Sequence, residues 1–510
     1  MDLQLISSFV VPFFVFLMLR FFAKFYKLKT FGYKLLPPGP TKLPFIGNLH
    51  QIASLGSLPH RAFQQLAHKY GPIMHLKLGQ ISAVVITSPK LAKEILKTHD
   101  ITFANRPNLE SAHIMTYGSI DIAFSPYGDY YRQMRKICML ELLSAKRVQS
   151  FSYIREDETN KFIELIKSSE GSEVNLTNRI FSLVSSTVSR SAFGDKTEDQ
   201  DEFVSVIRKA IESVGGLEPA DLFPSFKYII HVLTGNKSKL EKMHKQADKI
   251  LEIIVSKHQE KQRRKKLDGS DEEQEDLVDV LLRVQQSGTL DIPITTSNIK
   301  AVIFDAFAAG TDTTTSTITW AMAELMKNPR VMEKLQSELR DACKGKEIIT
   351  EVDVQDLPYL KLVIKETLRL HSPTPLLLPR ESTQLTNIGG YDIPKKTKVM
   401  VNVWAMARDP YYWNDAEMFI PERFDSNSID YKGNHFEYLP FGAGRRICPG
   451  MSFGIAGIML PLALLFYHFD WKLPNQMKPQ DLDMTEHYGL AIGRKIDLCL
   501  IPTVYNCSAS

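Results

Sequence analysis

One cysteine in this chain sits in a setting suited to chemistry: Phe441-Gly442-Ala443-Gly444-Arg445-Arg446-Ile447-Cys448-Pro449-Gly450, followed at once by an apolar, helix-like run. Gly444 and Gly450 lack a Cβ, so the backbone can turn tightly and approach a flat ligand closely. A helix starting near Pro449 points its positive end at Cys448. With arginines nearby, that end lowers a thiol's pKa and favours the ligating thiolate. The other four cysteines, at 138, 343, 499 and 507, form neither a paired metal-site spacing nor a disulfide framework. The bland reading is a small buried hydrophobe, as most free cysteines are. A lone thiolate in such a loop reads instead as one axial metal ligand, which haem takes.

The string F-x-x-G-x-R-x-C-x-G resembles the ligand loop of the cytochrome P450 superfamily, the haem-thiolate monooxygenases. A rival motif overlaps it. Gly450-Met451-Ser452-Phe453-Gly454 is G-x-S-x-G, and Asp470 and His487 follow in the chain order of an α/β-hydrolase triad. A serine hydrolase using Ser452 needs a strand running straight into that serine, and Gly444-Arg445-Arg446-Ile447-Cys448-Pro449 cannot form one. An H-G-G-G-type oxyanion loop is also absent from the sequence.

Two further clusters carry chemistry. Ala309-Gly310-Thr311-Asp312-Thr313-Thr314 sets small residues, an acid and hydroxyls in an apolar helical stretch. Back-bonding hydroxyls and a glycine there predict a local helix distortion with room for a small ligand; the plain alternative is a helix with one wet face. Glu366-Thr367-Leu368-Arg369 puts a carboxylate and a guanidinium on one helix face, by itself an ordinary surface pair. The resemblance gives both a role. A-G-x-D-T-T is the superfamily's oxygen-binding segment, which implies cofactor contact by Ala309 and Gly310, a hydrogen bond to dioxygen from Thr313 and proton relay by Asp312. E-x-x-R with Pro421-Glu422-Arg423-Phe424 implies a buried structural triad of Glu366, Arg369 and Arg423. Arg446, Arg135 and Arg380 match positions that bind the haem propionates, and guanidinium suits bidentate carboxylates. Phe441, Gly444 and Gly450 complete the implied cradle of haem b, with Cys448 on iron. One position departs from the pattern: Tyr131 stands where W-R-x-x-R usually has tryptophan, and its phenol can donate a hydrogen bond.

The elements that must position these groups are mostly helical. Helical apolar spacing covers 89–99, 241–264, 297–327, 329–343 and 358–371, with stops at Pro329, Gly345 and Pro373. Residues 73–78 and 81–87 read as a hairpin about Gly79-Gln80, and short strands return within 383–401 about Gly389-Gly390-Tyr391. The fold class is therefore mainly α with small β-sheets (α+β), and the resemblance implies the cytochrome P450 fold. The charged run from Lys257 to Glu275 reads as a solvated helix end and loop.

Composition excludes disorder, collagen and disulfide scaffolds. A net charge of +4 over 510 residues makes no case for nucleic acid. Residues 1–23 read as a transmembrane anchor, since about twenty apolar residues span a bilayer as helix. Asp2 precedes the run while Lys24, Lys27, Lys29 and Lys34 follow it, so the chain's body stays cytosolic. An uncleaved, single-pass endoplasmic-reticulum anchor is expected. Residues 24–44 form a basic, proline-rich linker containing Leu36-Pro37-Pro38-Gly39-Pro40, and 45–510 form the haem-binding domain. The sequons at Asn175, Asn236 and Asn506 are then expected to stay unused.

Within the superfamily the chain looks most like the plant family-71 branch, near its D-type members, through Pro37-Pro38-Gly39-Pro40 and Asp483-Met484-Thr485-Glu486 with Gly489-Leu490. No dinucleotide fingerprint or flavin domain is present in the sequence, so electrons come from outside. The resemblance implies NADPH-cytochrome P450 reductase as donor, with cytochrome b5 as a second candidate, O2 as co-substrate and a small apolar substrate. The expected pocket takes residues 103–124, Ile303, Phe304, Phe307, Leu376–Leu378 and Leu490–Ile492, with Leu222 to Ile230 dipping into the membrane. A sesquiterpene or diterpene is the leading substrate, ahead of a flavonoid or alkaloid. A haem-thiolate isomerase or dehydratase and a non-catalytic haem sensor are the alternatives within the haem class.

Overall fold

The hairpin forms where the β-branched runs predict it: β1 (Ile73–Leu78) pairs antiparallel with β2 (Ile81–Ile86), and Gly79 turns the chain at φ +58°. The computed structural model describes residues 35–194, 200–213, 218–268, 275–346, 348–425, 428–489 and 491–505. The expected anchor, linker residues 24–34, Leu490 and the sequon at Asn506 lie outside the described residues. From Leu35 to Lys42 the chain carries no regular secondary structure. Its Pro38 carbonyl accepts from the His75 amide at 2.8 Å, and a Cβ on Gly39 would meet the His75 carbonyl oxygen at 2.2 Å. This stretch therefore lies along β1.

The helices that frame the site are α1 (Asp129–Ile137), α2 (Ser152–Lys167), α3 (Leu176–Phe193), α4 (Lys227–Thr234), α5 (Thr296–Lys327), α6 (Pro358–Leu370) and α7 (Met451–His468). Their ends follow local chemistry. Thr295 and Asn298 close a capping box on α5, and Pro358 opens α6, where its missing N–H costs nothing. Two short strands, β3 (Arg380–Glu381) and β4 (Lys398–Val401), complete a sheet of order β1-β2-β4-β3, with β2 and β4 parallel.

Helix α5 is the axis of the molecule. It packs on α3, α6 and α7, with Ile299, Ile303, Phe307, Ile318, Ala321 and Leu325 fully buried. The distortion expected at Ala309–Thr314 is not seen: α5 runs unbroken from Thr296 to Lys327. Thr313 and Thr317 do back-bond, donating to Ala309 and Thr313 carbonyls at 2.7 and 2.8 Å, and the helix stays regular through both.

Candidate active site

The cysteine loop is held by its own backbone. The Cys448 amide donates to the Phe441 carbonyl and the Ile447 amide to that of Gly444, both at 3.0 Å, while the half-buried Phe441 ring meets Tyr431 edge-on. Gly444 adopts φ +71°, and a Cβ there would lie 2.1 Å from the Leu96 carbonyl oxygen and 2.8 Å from Asp100 Oδ2. Its missing side chain thus admits another part of the protein, where the sequence argument assigned the space to a flat ligand. Gly450 has an ordinary φ of −89°, and a Cβ on it would stand 4.0 Å from Cys448 Sγ. The expectation of an acidified thiol is also corrected. Burial pushes the Cys448 thiol up, more strongly than the Gly450 amide and the Arg135 charge pull it down. A thiol of this kind is a poor free nucleophile, and a bound metal cation supplies the charge that favours its thiolate.

Three guanidiniums crowd together near this loop. Arg446 donates to the carbonyls of Ala104 at 2.8 Å, Ile122 at 3.2 Å and Ser125, and lies 3.7 Å over the Tyr131 ring. Arg380 donates to Asp100 at 3.0 Å and to the Ala443 carbonyl at 2.9 Å. Arg106, which the sequence reading did not single out, donates to the carbonyls of Ala123, Leu378 and Pro379 at 2.8, 2.8 and 2.9 Å. All three are buried. Burial, and then the other two charges, hold Arg106 well below the usual guanidinium range; burial and Arg380 bring Arg446 down to about 10. Among the described residues only Arg380 of the three makes an ion pair, with Asp100, so the group carries excess positive charge that suits a dianionic ligand edge. Arg135 lies apart, donating to the Ile447 carbonyl at 2.8 Å on the cysteine side. Tyr131, 2 % exposed, donates to the Arg445 carbonyl at 2.8 Å, so its phenol braces the loop. The signal that could have found Arg106 is weak: an isolated arginine before Pro107.

Helix α5 presents one open face to this region. Asp305, Ala306 and Thr313 are half-buried and Ala309 is exposed, in the middle of an otherwise buried helix. Ala309, Gly310, Asp312 and Thr313, expected at the site, lie on this open stretch, but the expected pocket residues Ile303 and Phe307 are fully buried, Phe304 nearly so, and Phe307 packs on Phe193 and Phe203. Hydrogen bonds bring the other walls in. Asp305 accepts from the amides of Ile122 and Ala123, Asp312 accepts from that of Ala491 at 3.2 Å, and Arg106 ties down Leu378. Ala123, Phe124 and Leu376–Leu378 are half-buried. Leu377 stands at φ +52°, a strained conformation for a bulky side chain, and its Cδ1 lies 3.6 Å from where a Gly442 Cβ would be. The result is an apolar wall facing a hydroxyl, near a loop with one thiol and a cluster of positive charge. That donor set fits haem, with Cys448 for the iron and Arg106, Arg380 and Arg446 for the propionates.

The expected triad forms. Glu366 accepts from Arg369 Nε and Nη2 at 2.7 and 2.8 Å and from Arg423 Nε at 2.9 Å; both Glu366 and Arg369 are fully buried. The hydrolase arrangement does not. Ser452 is exposed on the first turn of α7 with no strand before it, Asp470 accepts from Gln336 and Arg340, and His487 lies in a separate two-stranded sheet.

Comparison with known proteins points the same way. The family model described as Cytochrome P450 matches residues 37–500. The chain is 61 % identical over 502 residues to cytochrome P450 71D8 of Glycine max, covering 98 % of this chain and 99 % of that one. It is 54 % identical to premnaspirodiene oxygenase of Hyoscyamus muticus, with the same coverage. A zebra fish cytochrome P450 solved with progesterone superposes with a TM-score of 0.76 at 25 % identity, over 88 % of this chain and all of that one.

Proposed function

The chain belongs to the cytochrome P450 family and is a haem-thiolate monooxygenase, and from that premise we propose that it oxidises an apolar plant metabolite, a sesquiterpene ahead of a diterpene. The observation that carries this reading is the wall of Ala123, Phe124, Leu376–Leu378, Ala306 and Ala309. Its apart-from-Asp305 apolar character suits a hydrocarbon whose affinity comes from burial. The relatives include premnaspirodiene oxygenase of Hyoscyamus muticus and 5-epiaristolochene 1,3-dihydroxylase of Nicotiana tabacum, enzymes named for hydrocarbons, which favours that class over flavonoids or alkaloids.

Haem, when bound, supplies the iron at which O2 and two electrons from NADPH, delivered through the reductase, put one oxygen atom into a C–H bond and the other into water. Cys448 would hold the iron as its thiolate and donate electron density to it. Arg106, Arg380 and Arg446 hold the carboxylates. Ala309 keeps the helix surface low beside the reacting carbon. Thr313 Oγ1, which donates to the Ala309 carbonyl at 2.7 Å, is the hydroxyl that turns to hold a proton toward the cleft. Asp312, bound to the Ala491 amide, lies beside it to resupply that proton. An intact Asp312-Thr313 pair argues against the isomerase, dehydratase and sensor readings.

Anchoring in the endoplasmic reticulum rests on the apolar amino terminus and on α4, where Tyr228, Ile229, Val232 and Leu233 are all exposed beside Phe226. Leu222, expected at the membrane, is instead buried against β1 and β2.

Co-expression with a reductase and mass-spectrometric screening of terpene, flavonoid and alkaloid scaffolds tests the proposal. A gain of one oxygen on a terpene supports it, and turnover confined to the other scaffolds refutes the substrate class. Thr313→Ala should uncouple NADPH use from product; unchanged coupling removes Thr313 from the role. Cys448→Ala should abolish haem binding and activity, and Ser452→Ala should spare both.

A further inference from the structure

The segment Ile120–Ser125 is gripped from two sides. Its carbonyls face the positive cluster: Ile122 and Ser125 accept from Arg446, and Ala123 accepts from Arg106. Its amides face helix α5: Asp305 Oδ2 accepts from Ile122 at 2.7 Å and from Ala123 at 3.0 Å. Asp121, in the same segment, is completely buried and lies against Asp305, with Oδ2 accepting from the Phe124 amide at 3.1 Å. Its Oδ1 has no donor from the protein. Asp305 Oδ2 and Asp121 Oδ2 are each taken by backbone amides, and two adjoining carboxyls in a buried site repel unless one of them carries a proton. Asp305 is one turn before Ala309, so whatever it holds is placed against the reacting face of α5.

We propose that Asp121 and Asp305 share one proton and act as a positioning pair, locking the Ile122–Phe124 wall to α5 and to the arginines that bind the cofactor carboxylates. The pair sets how much room a ligand has between that wall and Ala309. Size selection therefore depends on it, while access of a small ligand to the iron does not.

The surroundings agree. Burial pushes both carboxyls above their ordinary range, Asp305 further because it also faces the Asp121 charge. The other polar groups turned toward them are the Thr116 hydroxyl, donating to the Ala112 carbonyl, and the Tyr130 hydroxyl, donating to the Ile120 carbonyl. The Cys138 thiol, pushed up to about 12 by burial and Asp305, stays neutral, and Arg106 and Arg446 lie on the carbonyl side. None of these is a base able to remove the shared proton at neutral pH.

The haem-loaded enzyme tests this by two routes. Infrared difference spectra of wild type against Asp121→Asn should show a carboxylic-acid C=O stretch, deuterium-sensitive, present at neutral pH in wild type and missing in the variant. Its absence from wild type overturns the proposal. Optical titration with imidazole and 4-phenylimidazole then reads the wall. Asp305→Ala should bind imidazole as wild type does but change 4-phenylimidazole affinity by about tenfold, the scale of one charge-assisted hydrogen bond. Asp121→Asn, which keeps an N–H donor toward Asp305, should bind both like wild type. An Asp305→Ala variant whose 4-phenylimidazole affinity matches wild type also overturns the proposal. If that variant loads no haem, the infrared band decides alone.

Discussion

Replacing Glu366 by glutamine removes one negative charge and turns two N–H donors toward a site that already holds donors. Glu366 accepts from Arg369 twice, from Arg423 and from the Ile420 amide at 2.8 Å, and it is fully buried. Arg369 is left with the carbonyls of Ala407, Ala416 and Met418 and no counter-charge. Breaking a buried pair on one side costs about 3–5 kcal/mol. The matched domain spans residues 37–500, and at about 2.1 cal/mol/K of unfolding entropy per residue that cost lowers Tm by roughly 3–5 °C. The exposed pair Arg330–Glu422, 2.8 Å apart, provides the control. Arg330→Ala should cost no more than about 1 kcal/mol, a shift of about 1 °C or less. Thermal scans of both variants, with the carbon-monoxide difference spectrum as a gauge of thiolate-ligated haem, give the comparison. A Glu366→Gln enzyme with full haem and a Tm matching Arg330→Ala would refute the view that the triad locks the haem-side core.

Other residues give independent tests. Gly444→Ala forces a Cβ against the Leu96 carbonyl at positive φ, a conformational cost of about 1–2 kcal/mol before any clash; haem loading should fall, as read by the carbon-monoxide spectrum. Tyr131→Phe strands the Arg445 carbonyl and an Arg135 N–H and should destabilise by about 1–3 kcal/mol in denaturant titration. Arg106→Ala should speed haem transfer to apomyoglobin more than Arg135→Ala does, because only Arg106 lies in the three-arginine cluster. The Glu218 carboxyl is pushed up to about 7, by burial first and then by Asp221 and Glu110, from an ordinary 4.5. Within that window the folded chain holds a proton that the unfolded chain releases, so stability falls as pH rises from 4.5 to 7. Glu218→Gln should therefore match wild type at acid pH and show the higher Tm above neutrality.

The sequence by itself determined what is local. The long helix over 297–327, the hairpin about Gly79 and the i, i+3 pair of Glu366 and Arg369 all follow from residue types at fixed short spacings, which the structure reproduces. The class of chemistry was legible for the same reason, because a lone thiolate beside a glycine turn has few uses. Tertiary structure alone decided matters that depend on direction and on distant partners. Helical periodicity marks a stripe on α5 but not which neighbour covers it, so Phe307, expected in the pocket, went to the core. Arg106 joined the positive cluster from more than 250 residues away from its Leu378 partner and at a position with no motif. The Cys448 thiol was expected to be acidified by its helix and arginines, yet burial, which no motif records, outweighs both. Asp121 and Asp305 lie 184 residues apart in the chain; only the packing of a loop on α5 brings their carboxyls together.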